Sequence, residues 1–170
     1  PADRVPVFLV VAAAANAAVT ADVRFRAQDV GTTGSVYSFA VAPASRVAKA
    51  ASGDQPFLVG MSKAAGDETP VACVLAQLDS SGQLQAVSAS GLQAYVSGVL
   101  SSQGQAVQVL GSASAASAAG ATFYVGYGSN ADAMISGGVN RSVVTVPGTQ
   151  LCQPQPPQTG WWWNQAEDGR

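Results

Sequence analysis

Short runs in which apolar and polar residues alternate constrain the fold of this chain more than any other feature. The stretch VTADVRFRA, residues 19–27, would place four apolar side chains on one side and four polar ones on the other. The two sets are Val19, Ala21, Val23 and Phe25 against Thr20, Asp22, Arg24 and Arg26. Successive side chains of a β-strand point to opposite faces, so this run is typical of a half-buried strand. Similar runs recur every 8 to 12 residues or so, between turn-forming segments. The pattern predicts an all-β fold, an antiparallel β-sandwich (Ig-like or jelly-roll-like) with about nine short strands.

One segment departs from this pattern and predicts a single short helix. In SNADAMISGG, residues 129–138, Ser129 or Asn130 can cap the helix and Asp132 lies in its first turn. The two glycines at its end are typical of a helix C-terminus.

The bulky residues of the strands predict the core. In SVYSFAVA, residues 35–42, larger and smaller side chains alternate, and we expect the larger set to point inward. The residues predicted to be mostly buried are Phe25, Tyr37, Phe39, Val41, Phe123, Val125 and Val143.

Composition divides the chain into three parts. Residues 1–149 predict the β-sandwich domain, residues 150–159 a Pro/Gln-rich spacer, and residues 160–170 an aromatic tail. The apolar stretch at the N-terminus lacks the basic flank of a signal peptide and is too short to span a bilayer. Residues 5–11 of that stretch therefore predict a strand.

The two cysteines, Cys73 and Cys152, are too few for a four-thiolate metal site. They are either separate buried thiols or a disulfide, and the low content of charged residues, which is typical of secreted proteins, favours the disulfide. Such a bond would close a loop of about 80 residues.

Other chemistry finds little support in the residue types. The chain has no histidine, which excludes His-dependent triads and His zinc sites, and its net charge of −2 argues against nucleic-acid binding. The segment GYGSNADAM, residues 126–134, is either a phosphate cradle or a capped turn, and it lacks the Walker lysine. The aspartates are scattered over separate turns: Asp29, Asp54, Asp67, Asp79 and Asp132. We expect no catalysis, cofactor, metal or membrane span.

Aromatic residues are the remaining candidates for a binding role. Four tyrosines could stack on sugar rings if exposed, or else pack in the sandwich: Tyr37, Tyr95, Tyr124 and Tyr127. The tail GWWWNQAEDGR contains Trp161, Trp162 and Trp163, and three adjacent indoles are unfavourable in water. They would dock on their own sandwich or on another subunit, or else the tail is a disordered remnant of a truncated chain. The expected companions at such an assembly contact are Val7, Leu9 and Val11.

Two long stretches also resemble a known kind of module. ADVRFRAQDVGTTGSVYSFAVAP and GATFYVGYGSNADAMISGGVNRSVVTV are similar to the opening and closing motifs of a β-sandwich module in secreted, multi-domain proteobacterial proteins. The tail resembles the start of a GWWWNP.E.GRG module, with Gln165 in the place of the proline. The resemblance implies an extracellular, modular and non-catalytic protein.

These observations support two hypotheses. The first is an extracellular or cell-surface structural protein that associates with copies of itself, as a filament or surface-fibre subunit linked by strand or tail exchange. The alternative is a non-catalytic accessory or carbohydrate-binding module of a larger secreted bacterial enzyme, with polysaccharide as its partner.

Overall fold

The computed structural model describes residues 9–15, 18–48, 58–62, 71–111, 114 and 116–152; for residues 9–15, 58–62 and 71 it describes the backbone alone. These residues form ten strands, one 3-10 turn (Ala44–Arg46) and one α-helix, α1 (Ala131–Ser136). The strands are β1 (Leu9–Ala15), β2 (Ala18–Arg24), β3 (Thr33–Pro43), β4 (Leu58–Ser62), β5 (Val71–Leu78), β6 (Leu84–Ala86), β7 (Val96–Val99), β8 (Gln105–Leu110), β9 (Thr122–Gly128) and β10 (Asn140–Thr145).

The strands form two antiparallel sheets that pack face to face. The small sheet has the order β1-β2-β8, and the large sheet has the order β10-β9-β3-β5-β4. In the large sheet, β6 also pairs with β5, and β7 pairs with β3. All of these strand pairs are antiparallel, so the predicted all-β sandwich is confirmed.

The alternation predicted for the first long strand is present in β2. Val19, Ala21 and Val23 are buried between the sheets, whereas Thr20 and Arg24 are exposed. Phe25, just beyond the strand, is half-buried against the same cluster. Burial of these apolar side chains on one face is the main force that holds the small sheet on the large one.

The assignment of faces in β3 was wrong, because this strand is buried on both sides. Val36 and Ala40 face the small sheet, although the sequence pattern had placed their side of the strand outward. Tyr37 and Phe39 are buried as predicted, but in a second cluster on the opposite face, and Val41 is only half-buried. Small residues suit the inner face because bulky neighbours fill the space there: Ala40 lies beside Phe123 of β9 in the ladder.

The second cluster is covered by helix α1 and by the loop after β6. Besides the two aromatic residues of β3, its buried members are Leu75, Leu92, Ala131 and Met134. The predicted helix is present, and Asn130 caps it by accepting a hydrogen bond from the Ala133 amide at 2.8 Å. Gly126 lets the helix approach β9, since a Cβ there would lie 2.6 Å from the Met134 sulfur.

The C-terminal end of the described chain is joined to the large sheet. Cys152 forms the predicted disulfide with Cys73 of β5, with 5.8 Å between their Cα atoms, and its amide donates to the Gly120 carbonyl at 2.8 Å. The body therefore continues past residue 149 to Cys152, which is buried. With the cysteines 79 positions apart in the sequence, the bond stabilises the fold by about 4 to 5 kcal/mol in the chain-entropy model.

Two truncations test the assignment of two cores. Phe123 is buried in the cluster between the sheets, and Phe39 is buried in the second cluster, on the opposite face of the large sheet. We expect Phe123→Ala and Phe39→Ala each to lower the free energy of unfolding by about 3 to 5 kcal/mol, measured by urea denaturation, because each leaves a cavity. The control Val96→Ala, at an exposed position, should change it by no more than about 0.5 kcal/mol. A loss below about 1 kcal/mol for Phe39→Ala would contradict the second core.

Candidate functional site: the β7 edge and its adjoining cleft

An apolar patch lies on β7 and the residue before it. Every large hydrophobic side chain that is exposed in the described part of the chain belongs to residues 95–99: Tyr95 at 49%, Val96 at 38% and Val99 at 69%. Single exposed apolar residues are common on protein surfaces, but three within five positions make this segment unusually apolar, and it is called the β7 patch below.

The backbone of this segment is also an open edge. β7 pairs with residues 33–36 of β3 on one side, and among the described residues no strand pairs with its other side. Natural edge strands are commonly protected by charges or proline, and YVSGV, residues 95–99, contains neither. Strand β8 is also at the end of its sheet, but there side chains form hydrogen bonds with the backbone. Tyr95 Oη accepts from the Gln108 amide at 3.4 Å, and Gln105 Nε2 donates to the Ala106 carbonyl at 2.9 Å.

The patch is held in a fixed position by the residues next to it. Leu100 is buried, its amide donates to the Thr32 carbonyl at 2.9 Å, and its carbonyl accepts from the Gly31 amide at 2.9 Å. The hydroxyls of Ser35 and Ser97 are hydrogen-bonded across the ladder at 2.7 Å. β7 therefore presents its side chains from an ordered strand rather than from a loose loop.

A polar cluster at the end of β9 fixes the turn that leads into β3. The Tyr127 hydroxyl donates to Asp29 Oδ2 at 2.5 Å, and Arg26 Nε donates to the same oxygen at 2.5 Å and to the Tyr127 hydroxyl at 3.1 Å. The ring of Phe25 packs edge-on against Tyr127 at 4.9 Å between centroids. Burial raises the pKa of Tyr127, and its hydrogen bond to Asp29 raises it further. The pKa of Arg26 is also raised, mainly by its own hydrogen bond to Asp29.

A gap in the large sheet lies beside the patch. β3 pairs with β7 through residues 33–36 and with β5 through residues 40–43, so residues 37–39 have neither strand beside them on that side. The side-chain amide of Gln77 fills this gap as a peptide group would. It donates to the Ser38 carbonyl at 2.9 Å and the Gln93 carbonyl at 2.8 Å, and accepts from the Gln93 amide at 2.9 Å.

The gap opens into a cleft of about 390 Å³ between the two sheets. Buried or half-buried apolar side chains form its inner part, and amides and hydroxyls stand among the remaining lining residues. The lining includes Ser38, Tyr95, Gln108, Val109 and Phe123. None of the cleft's lining residues is an Asp, Glu, Lys or Arg, so the cleft carries no formal charge.

The four tyrosines considered as ring-stacking candidates divide clearly. Tyr37 and Tyr127 are buried, and Tyr124 is half-buried and stacked on Phe39 at 5.4 Å between centroids. Tyr95 is the one tyrosine of the described chain that is exposed. The sequence alone could therefore name Tyr95 as a candidate for ring stacking, but it could not show that this tyrosine is exposed and the other three are not.

The structure supports the capped-turn interpretation of residues 126–134. Gly126 and Gly128 pack closely against Met134, so the absence of a side chain at both positions allows the close contact between helix and strand.

The aspartates of the turns have structural roles or stand apart from one another. Asp79 accepts hydrogen bonds from Ser81, Gln83 and Gln85, and these bonds lower the pKa of Asp79 to about 2. In the part of the chain that is described, no three carboxylate or thiol groups come together as a metal site, and Asp54 and Asp67 lie outside that part.

The predicted assembly residues fall mostly outside the described residues. Val7 and the three tryptophans, Trp161 to Trp163, are not among them. Leu9 and Val11 lie on β1, paired in register with Arg24 and Asp22 of β2. β1 is at the end of the small sheet, with β2 on one side and no described strand on its other side.

The β7 patch and the three glutamines of the cleft were not predicted from the sequence. One signal was present: Val96 and Val99 are an odd number of positions apart, so a strand must point them to opposite faces and cannot bury both in one core.

Comparison with known proteins adds no assignment. No protein-family model, no curated protein and no solved structure matches this chain. The resemblance to a secreted proteobacterial module therefore stays a prediction. Within the described residues, no helix is long and apolar enough to cross a membrane.

Removal of one buried hydroxyl tests the cluster that fixes the turn. Tyr127→Phe keeps the ring against Phe25 but leaves Asp29 and Arg26 without their shared partner. We expect the free energy of unfolding in urea to fall by about 1 to 3 kcal/mol. The matched change Tyr95→Phe, at an exposed hydroxyl, should alter it by less than about 0.5 kcal/mol. Equal effects of the two variants would contradict this role for Tyr127.

Proposed function

We propose that this protein is an extracellular structural subunit that associates with copies of itself, and that β7 is the edge that receives a strand from the next subunit. The observation that carries the proposal is the exposed, uncharged and apolar edge of residues 95–99. An added strand would complete the backbone hydrogen bonds of β7, and its side chains would cover Val96 or Val99.

The low charge of the chain supports self-association. Charged residues make up 11% of the sequence, ten acidic and eight basic, with a net charge of −2. Soluble domains average about 25% charged residues. Copies of this protein therefore repel one another weakly, and contact between apolar patches meets little electrostatic opposition.

The aromatic tail is the proposed donor. Its three tryptophans form the largest apolar group outside the described body, and such residues act as anchors when they are buried at an interface. The spacer at residues 153–159 can extend roughly 20 Å as a polyproline-type segment. The N-terminal residues Val7, Leu9 and Val11 are the proposed companions of the tail at this contact.

The positions of donor and acceptor favour an open chain of subunits. Cys152, from which the spacer departs, is bonded to Cys73 beside Pro43, at one end of β3. β7 pairs with residues 33–36, at the other end of β3. Such a contact joins two different surfaces of the subunit, head to tail. Contacts of this kind form a ring only when the rotation between neighbouring subunits closes, and otherwise they form an open filament.

The disulfide supports the proposed location. Structural disulfides persist in oxidising compartments, so the bond between Cys73 and Cys152 is compatible with secretion. It would also hold the root of the tail against the sandwich while the tail bears the link to the next subunit.

A charge placed on the edge tests the proposal. We expect the full chain to form fibres in negative-stain electron microscopy and large species by light scattering. Val99→Lys puts a charge in the patch, and deletion of residues 160–170 removes the donor. Each should raise the protein concentration needed for assembly at least about tenfold, which corresponds to 1.4 kcal/mol. The control Gln103→Lys adds the same charge in the neighbouring exposed turn and should assemble as the unchanged chain does.

Three results would contradict the proposal. The full chain could remain monomeric at every concentration, which would exclude self-association. Val99→Lys could assemble as well as Gln103→Lys, which would exclude β7 as the acceptor. The shortened chain could assemble normally, which would exclude the tail as the donor.

A further inference from the structure

The cleft between the sheets supports a second function that does not depend on self-association. Its inner wall includes Phe123 and Val109, which are 1% and 2% exposed. At its mouth stands Tyr95, whose ring is half exposed while its amide is bonded to the Val36 carbonyl at 2.7 Å. The aromatic side chain is therefore held at the entrance of an open cleft with an apolar inner wall, whose volume is within the range of small-molecule sites.

Two polar groups of the cleft are available to a ligand. In the described part of the chain, the Ser38 hydroxyl has no hydrogen-bond partner, and the Tyr95 hydroxyl accepts one bond, from the Gln108 backbone amide, without donating any. The side chain of Gln108 is in register with the exposed Thr20 on the outer face of the small sheet, so it points away from the space between the sheets. Gln77 differs, because both hydrogens of its amide already bond the backbone. Gln77 therefore builds the wall, whereas the hydroxyls of Ser38 and Tyr95 offer donors and acceptors.

These features select the chemistry of the ligand. A charged ligand would find no opposite charge among the lining residues. A purely apolar ligand would bury the Ser38 hydroxyl without a partner, which is unfavourable. A sugar satisfies both parts of the cleft, because its hydroxyls both donate and accept, and the C–H groups on one face of its ring are apolar and pack on an aromatic ring.

We propose that this cleft binds a neutral saccharide, with the ring of Tyr95 as the stacking platform and with the hydroxyls of Ser38 and Tyr95 as its hydrogen-bonding partners. Polysaccharide was the partner expected under the alternative hypothesis, and the cleft gives that hypothesis a definite location. The gap between β5 and β7 is what creates the site, since a continuous strand there would close the entrance.

Saturation-transfer NMR on the full chain tests the proposal, and it works for monomers and assemblies alike. The probes are four neutral trisaccharides (cellotriose, maltotriose, chitotriose and laminaritriose) with trigalacturonate as the charged control. We expect at least one neutral probe to bind and trigalacturonate not to bind. Tyr95→Ala should weaken the binding at least about tenfold, since it removes the platform. Ser38→Ala, which removes the unpartnered hydroxyl, should weaken it severalfold.

The matched control is Ser142→Ala, at an exposed position of β10 outside the cleft, which should bind as the unchanged chain does. Circular dichroism confirms that each variant is folded, and should Tyr95→Ala unfold, the comparison of Ser38→Ala with Ser142→Ala decides alone. The proposal is overturned when no neutral probe binds, when only trigalacturonate binds, or when Ser38→Ala binds as tightly as Ser142→Ala. Loss of assembly in Val99→Lys with normal saccharide binding would separate this site from the proposed interface.

Discussion

The pairing of β3 is the constraint on which the rest of the structure depends. This strand of 11 residues has β9 along one side, while β7 and β5 divide the other side between them. Its inner face packs against the small sheet, and its outer face packs against helix α1 and the loop after β6. A strand that is buried on both faces is expected to be mostly apolar, and that explains why the aromatic residues of β3 alternate with valine, serine and alanine rather than with charged residues.

The division of one side of β3 between two strands has two consequences. It leaves a gap at residues 37–39, which Gln77 bridges with its side chain and which opens as the cleft. It also leaves β7 as a short strand attached to β3 alone, with its outer backbone and its valines exposed. The proposed interface and the proposed saccharide site therefore share one origin and one residue, Tyr95, which precedes β7 and lines the cleft.

Features set by neighbouring residues could be predicted from the sequence. The alternation in β2, the cap of α1 by Asn130 and the all-β class follow from spacing within a few positions, and all three are present. The pairing of Cys73 with Cys152 could be predicted because the chain has two cysteines and one possible bond.

Features that depend on distant residues could not be predicted in this way. Alternation in β3 shows which residues share a face, but it cannot show that helix α1 covers the second face. The bond between Tyr127 and Asp29 joins residues 98 positions apart, and the cleft collects side chains from four strands and one loop. No local pattern marks contacts of this kind, because the fold itself brings the residues together.

The central claim is that subunits are joined by addition of a strand to the edge of β7. Hydrogen exchange at this strand tests the claim most directly. Amide exchange would be measured by mass spectrometry on the assembled full chain and on the dissociated protein, over peptides that cover residues 96–99. Because an added strand bonds the outer amides of β7, the account predicts that these peptides exchange more slowly in the assembly, while peptides of the turn at residues 101–104 exchange equally in both states. Equal exchange of β7 in the two states, with new protection elsewhere, would contradict it.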